Sequence, residues 1–426
     1  MNVYEAAINR IALIFREFDN VYVSFSGGKD SGVLLNLCID YIRKFAPERR
    51  LGVFHIDYEA QYQMTTDYVD SVLLENSDIL TVYRCCMPIS AQCATSMYQN
   101  HWTPWEANKK DIWVRPMPVN SLNEHNHSFD FFQKGMWDYE FQEKFSLWNH
   151  QANKAQKTAV LVGIRTVESL NRWRAIHAER NRKNYSGLNW SKHMYDNVYN
   201  FYPIHDWQTE DVWIANAKFG WSYNKLYDLY HKAGLSIHQM RVASPFNDYA
   251  TESLKLYRAI DPDNWGKMVG RVNGVNFTGI YGGTTAMGWK SINLPNGHTW
   301  KSYMDFLLGT LPEKSRNNYL AKLDTSIRFW RDKGGVLDTN TIEELKNSGA
   351  DIEVMEKSNY DTDKKPVRME YLDDADISDF AKVPTYKRMC ICIMKNDHLC
   401  KYMGFSQTKY ELERRKAVIE KYKTLL

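Results

Sequence analysis

One hexapeptide in this 426-residue sequence has residue types suited to phosphate chemistry: Ser26-Gly27-Gly28-Lys29-Asp30-Ser31. Two adjacent glycines let a backbone approach a polyphosphate closely. If a helix begins there, its first turn offers unpaired N–H groups and a positive dipole, and Lys29 adds a mobile cation. The hydroxyls of Ser26 and Ser31 can donate to phosphate oxygens. Asp30 suits either a magnesium ion or a helix cap. The spacing differs from the ordinary P-loop, which has four residues between its glycines. A serine-capped glycine turn is the bland alternative.

The flanking elements decide between these readings. VYVSF (21–25) is a short β-rich apolar run before the hexapeptide, and 32–45 is apolar at helical spacing after it. Strand, glycine turn and helix therefore follow in order. A helix is expected over 3–18, strands over 51–57 and 79–85, and a helix over 61–76. Residues 87–158, with Pro88, Pro104, Pro116 and Pro118, read as an insertion plus helices. Strands are expected again over 158–164 and 197–204, then a helix over 209–219 with Thr209 as N-cap. Alternation of this kind implies an α/β fold with a doubly wound, mostly parallel sheet in a nucleotide-binding domain spanning 1–234. A mainly helical domain is expected over 235–426, with an acidic linker or loop at 351–379 and a charged terminal helix at 406–426.

Composition excludes several classes. The net charge is +3, so the chain is neither a polycation nor an acidic tail. The N-terminus lacks the basic start and unbroken apolar core of a signal peptide, and no stretch reaches the length of a membrane span. The chain reads as soluble and cytoplasmic. The overall charge hides an asymmetry: residues 51–100 hold six acidic residues and one basic, and residues 151–200 hold nine basic and three acidic. The basic run includes Arg165, Arg172, Arg174, Arg180, Arg182, Lys183 and Lys192. It suits a nucleotide phosphate, a nucleic-acid backbone or a solvated helix face. The 14 Trp, 27 Tyr and 18 Phe are read first as core and interface residues, compatible with a homo-oligomer, and second as a stacking surface for unpaired bases. Seven cysteines are too few and too odd in number for a disulfide scaffold. Cys85-Cys86, Cys93, Cys390, Cys392 and Cys400 are candidate iron–sulfur ligands, but Cys390-x-Cys392 has the wrong spacing, and buried thiols are the preferred reading. The histidines form no metal-binding pattern, so His55 is read as orienting the loop after the second strand.

The hexapeptide resembles the loop of the pyrophosphatase-loop superfamily, and within it the sequence most resembles the phosphoadenosine phosphosulfate reductase family. Three further segments carry the likeness. His55-Ile56-Asp57 is similar to the family's strand-two signature at the adenosine. Gly163-Ile164-Arg165, followed by Glu168-Ser169 and Arg172, resembles its arginine motif for phosphates. Tyr202-Pro203-Ile204, Asp206-Trp207 and Asp211-Val212-Trp213 resemble its proline–tryptophan signature. The order agrees over roughly 20–220. Two departures stand out. Tyr58-Glu59-Ala60 follows Asp57, where the family has a small residue and a glycine. The cysteine-bearing tail of the reductases is missing, and Cys400 lies in His398-Leu399-Cys400-Lys401. Residues beyond 235, including 271–276 and 395–398, resemble a branch described as immunoglobulin-binding regulators paired with a ParB-like protein.

The resemblance implies ATP as the bound nucleotide, with Mg, and attack on its α-phosphate with release of pyrophosphate. It implies Lys29 and Arg165 as catalytic groups. Ser26, Gly27, Gly28, Lys29, Asp30, Ser31, His55, Asp57, Gly163, Arg165, Glu168 and Arg172 would hold the nucleotide, with Asp30 as the candidate magnesium ligand. It also implies a ParB-like partner and a link to nucleic acid or sulfur transfer. Two alternatives stay open: a sulfonucleotide reductase using Cys400, and a non-catalytic nucleotide-dependent regulator.

Overall fold

The computed structural model describes residues 2–177, 184–237, 240–242, 244–247, 250, 254, 256–281, 292, 294–356 and 363–405. It forms two compact units. The first comprises Met1–Gln92, His101–Ile176 and Asn181–Gly279; the second comprises Cys93–Asn100, His177–Arg180 and Ile280–Leu426. The boundary expected at 234 falls inside the first unit.

Helix α1 (Val3–Glu17) starts at a capping box in which the Glu5 amide donates to Asn2 Oδ1 at 2.9 Å and the Asn2 amide donates to Glu5 Oε2 at 3.2 Å. Next come β1 (Asn20–Ser24), α2 (Lys29–Phe45), β2 (Leu51–Ile56), α3 (Gln63–Glu75) and β3 (Leu80–Cys86). A small antiparallel pair follows, β4 (Ala91–Gln92) with β5 (His101–Trp102), then β6 (Leu122–Asn123) and α4 (Asp138–Ala152). The unit continues through β7 (Thr158–Val162), α5 (Leu170–His177), β8 (Ser191–Tyr195), β9 (Val198–Phe201), α6 (Thr209–Phe219) and α7 (Leu226–Lys232).

The seven-stranded sheet has the order β6-β3-β2-β1-β7-β9-β8. Every pair in it is parallel except β8 with β9. From β1 the chain winds one way through β2 and β3, and β7 lies on its other side. The order reverses between β1 and β7, and the crevice at the carboxyl ends of such strands is where doubly wound sheets bind ligands. Ser24 sits opposite Val162 in the register, so the loops after β1 and β7 leave the sheet side by side. Helix α2 covers this centre with Val33, Leu34, Leu35, Leu37, Cys38 and Ile42, all fully buried. Each large aliphatic side chain contributes about 1.5–3 kcal/mol by leaving water. Aromatics of the 98–148 region pack on one another and on the sheet: Phe129 meets Trp148 edge to face at 4.7 Å, and Phe145 stacks on Phe54 of β2 at 4.0 Å. Phe54, Phe129 and Phe145 are buried core residues.

In the second unit, Trp300–Thr310, Glu313–Arg328 and Tyr386–Met394 are helices packed around Met304, Tyr319, Leu323 and Met389. The acidic segment is not a plain loop. Its strands Ile352–Val354 and Lys365–Met369 join Gly335–Leu337 in an antiparallel sheet, because Val367 and Met369 supply buried apolar contacts. Asp373 accepts from the amides of Trp300 and Lys301 (2.9 and 2.8 Å), so its charge sits on a helix N-terminus. The terminal helix expected over 406–426 lies outside the described residues. Among the described residues no helix is long and apolar enough to cross a membrane.

Candidate nucleotide site

The loop 26–28 joins β1 to α2. Gly27 has φ of +76°, and a Cβ there would meet Val69 Cγ2 at 2.9 Å, so the turn requires glycine. The two serines brace the loop internally. Ser31 Oγ accepts from the Ser26 amide and donates to the Gly28 carbonyl (both 3.2 Å), and it lies 3.0 Å from Ser26 Oγ. Three residues that sequence reasoning missed hold the loop from outside. Asn224 Nδ2 donates to the Gly27 carbonyl at 3.1 Å and to Thr65 Oγ1 at 2.9 Å. The Lys29 amide donates to Tyr227 Oη at 2.9 Å. Among the described residues the amides of Gly27, Asp30 and Ser31 have no protein acceptor, which leaves three donors at a helix N-terminus.

Charge is concentrated beside those donors. Lys29 Nζ lies 3.0 Å from Asp30 Oδ2, and Arg165 Nε lies 2.6 Å from Asp30 Oδ1. Burial pushes the Lys29 ammonium pKa down, partly offset by Asp30. Arg165 is 1% exposed and also donates to Thr209 Oγ1 at 3.2 Å, while Glu168 approaches its Nη2 at 3.7 Å. Thr209 is therefore the first helical residue and an acceptor for Arg165. The N-cap is Gln208, whose amide donates to Asp211 Oδ2 at 2.8 Å. Glu168 also pairs with Arg172, which is partly exposed. Gly163 brings the β7 loop against the phosphate-type loop: a Cβ on it would lie 3.0 Å from Asp30 C and Ser31 N. The hexapeptide, Gly163, Arg165, Glu168 and Arg172 thus form one constellation across the switch point.

His55 and Asp57 follow β2 but are tied into a different network. His55 is 1% exposed; its Nδ1 lies 2.8 Å from the Phe25 carbonyl, so Nδ1 carries the proton and Nε2 is a buried acceptor with no protein partner. Burial lowers its pKa to about 4. Asp57 is fully buried between Arg84, whose Nη2 lies 3.1 Å away, and Arg115. Burial raises its pKa, but the two guanidiniums overcome this and hold it well below the usual carboxylate range.

Glu59 stands where the resembling family carries glycine, and its φ is +67°. Arg271 grips it in a fork at 2.8 and 3.1 Å, and the amides of Trp105 and Val114 donate to it at 2.6 and 3.1 Å. Arg84 and Arg115 had no local sequence signal, and Arg271 stood out only within the 271–276 resemblance; the one clue to this network was the pair of acids, Asp57 and Glu59, just after the apolar strand β2.

Other candidates do not converge. Both Asp30 oxygens are taken by cations, so the protein alone offers no cage for magnesium. No group of three metal-capable side chains is found among the described residues. The seven cysteines are all buried free thiols. Cys85 and Cys86 close β3 in the first unit, while Cys390, Cys392 and Cys400 lie in the second. Of the basic run, Lys192 is exposed on β8, the Arg174 side chain is not described, and Arg180, Arg182 and Lys183 lie outside the described residues.

The family matches divide the chain at 233–234, short of the Gly279 limit of the first compact unit. The phosphoadenosine phosphosulfate reductase domain matches residues 20–233, and a domain of unknown function, DUF3440, matches 234–414. The uncharacterized protein YbdN of Escherichia coli (strain K12) is 31% identical over 413 residues, covering 96% of this chain and 92% of its own. Among solved structures, phosphoadenylyl-sulfate reductase from Candida auris is 16% identical, with 54% of this chain and 85% of that one covered and a TM-score of 0.29. The U34-tRNA thiolase NcsA of Methanococcus maripaludis is 12% identical over 64% and 78%, with a TM-score of 0.31. By its domain match and its full-length relative, this chain belongs to the phosphoadenosine phosphosulfate reductase domain family.

Proposed function

We propose that this chain is a cytoplasmic enzyme that binds ATP at the crevice between β1 and β7 and cleaves it at the α-phosphate, adenylating an acceptor. The observation that carries the reading is the cradle itself. Gly27 at positive φ, three unpartnered amides, the Lys29 ammonium and the buried Arg165 guanidinium converge where Gly163 leaves no room for a side chain. An acceptor oxygen would bond to the α-phosphorus as the bond to the bridging oxygen breaks, and pyrophosphate would leave with the electron pair. Lys29 and the loop amides would stabilise the charge gathering on pyrophosphate. Arg165, fixed by Asp30, Thr209 and Glu168, would align the phosphates. The unpartnered His55 Nε2 suits a donor on the nucleoside. A carboxylate or phosphate acceptor needs no general base, and none is evident at the loop. Protein groups alone do not fit magnesium here, so no step is assigned to it.

The resemblance to the branch paired with a ParB-like protein extends the reading to nucleic-acid modification or sulfur transfer with that partner. A sulfonucleotide reductase is less well supported, because Cys400 is fully buried. Pyrophosphate release from ATP, measured with and without a ParB-like partner, tests the proposal. Lys29→Ala should lower the rate about 100-fold or more; absence of release from the unaltered chain under all conditions would refute it.

A further inference from the structure

The first unit contains a cavity of about 570 Å³ that the phosphate loop does not line. It opens at the carboxyl end of β3, where Cys86 pairs with Asn123 of β6, on the sheet edge that also carries the loop. One strand, β2, lies between β3 and β1, a distance of about 10 Å at the usual strand spacing. Its size is ordinary for a small-molecule site.

The lining has two characters. Inside are Cys86, Trp105 and Arg115, all buried, with Trp113 and Met117 half-buried. The Trp105 and Trp113 rings meet edge to face at 5.2 Å, and the Arg115 guanidinium lies 5.2 Å from the Trp105 centroid. Arg115 is 5% exposed, and its Nε has no hydrogen-bond partner. A buried donor of this kind is costly unless a ligand or water satisfies it. At the mouth, Lys110 and Lys267 are balanced by Asp111 and Glu124.

Shape and charge together select a ligand class. The tryptophan rings favour a planar aromatic body. The free Nε favours an oxygen acceptor. A guanidinium donor bonds a charged acceptor more strongly than a neutral one, and because Arg115 already pairs with Asp57 and the mouth is neutral, this one free donor suits a monoanion and not a dianion. We propose that the Trp105–Trp113–Arg115 cavity is the acceptor pocket and takes a planar aromatic carboxylate. The inference rests on the adenylation reading above. The carboxylate oxygen would form the bond to the α-phosphorus and pyrophosphate would carry away the electron pair, so neither an oxidant nor a proton acceptor is required.

Calorimetric titration of the full chain with 1-naphthoate and with its neutral analogue 1-naphthamide tests the assignment. The carboxylate should bind at least tenfold more tightly. Arg115→Gln should abolish that preference. Met117→Trp, which fills the half-buried wall at a residue that makes none of the Asp57 ion pairs, should abolish naphthoate binding while ATP still binds. Equal binding of the two probes, or full binding to Met117→Trp, overturns the proposal. Pyrophosphate release without naphthoate binding overturns the pocket alone. Naphthoate binding without pyrophosphate release overturns the ATP-cleavage reading and with it the acceptor role, and leaves only a site for aromatic carboxylates.

Discussion

Replacing Glu59 by glycine sets two opposing effects against each other. Glu59 holds φ of +67°, which costs a non-glycine residue roughly 1 kcal/mol or somewhat more, and glycine would relieve it. The same change strips Arg271 of its bidentate partner and leaves the Trp105 and Val114 amides without an acceptor. Glu59 is fully buried and Arg271 nearly so. Breaking one side of a buried ion pair costs about 3–5 kcal/mol. The ion pair should win, and Glu59→Gly should destabilise the first unit by about 2–4 kcal/mol despite restoring the residue the family favours. Adding Arg271→Met removes the stranded charge, so the double variant should regain more than half of the loss. Urea unfolding followed by tryptophan fluorescence, with hydrogen exchange over residues 103–116 as a local readout, measures both. A single variant as stable as the parent, or a double variant no better than the single, would refute the reasoning.

Gly163→Ala places a Cβ 3.0 Å from loop backbone atoms that cannot rotate away. It should lower pyrophosphate release by about tenfold or more at a stability cost of about 1–2 kcal/mol, visible as a rate loss larger than the shift in unfolding midpoint explains. His55 has a folded pKa of about 4, below its unfolded value of about 6.5, so the unfolded chain binds more protons between these values. Its contribution, about 3 kcal/mol, is fully present above pH 6.5 and is lost as pH falls toward 4. His55→Gln should flatten that part of the stability–pH curve, and an unchanged slope would count against the buried neutral imidazole. Tyr227→Phe removes the acceptor of the Lys29 amide and should weaken ATP binding several-fold, as titration with ATP would show.

The glycine loop at 26–28 was legible because its signal is local. A β-rich run, two glycines and a helical period follow one another within 25 residues, and strand, turn and helix form there with α2 beginning at Lys29. The doubly wound, mostly parallel character of the sheet was legible in the alternation of elements; its strand order was not. Strand β8 was not legible, because Ser191-Lys192-His193-Met194-Tyr195 is a half-polar antiparallel edge strand with no continuous apolar run. Thr209 was read as a cap because threonine commonly is one, whereas its hydroxyl serves Arg165. The departure at Glu59 could be read, but not its left-handed backbone, nor its partner 212 residues later. Residues 351–379 looked like a linker because aspartates dominate the composition, while two short strands within it depend on contacts from elsewhere in the second unit.

The most direct test of ATP cleavage at the α-phosphate is the identity of its products. With ATP labelled separately at the α- and γ-phosphates, the γ label should appear in pyrophosphate and the α label in an adenylated acceptor or AMP, and Lys29→Ala should suppress both. Appearance of the γ label in orthophosphate and the α label in ADP would contradict the account.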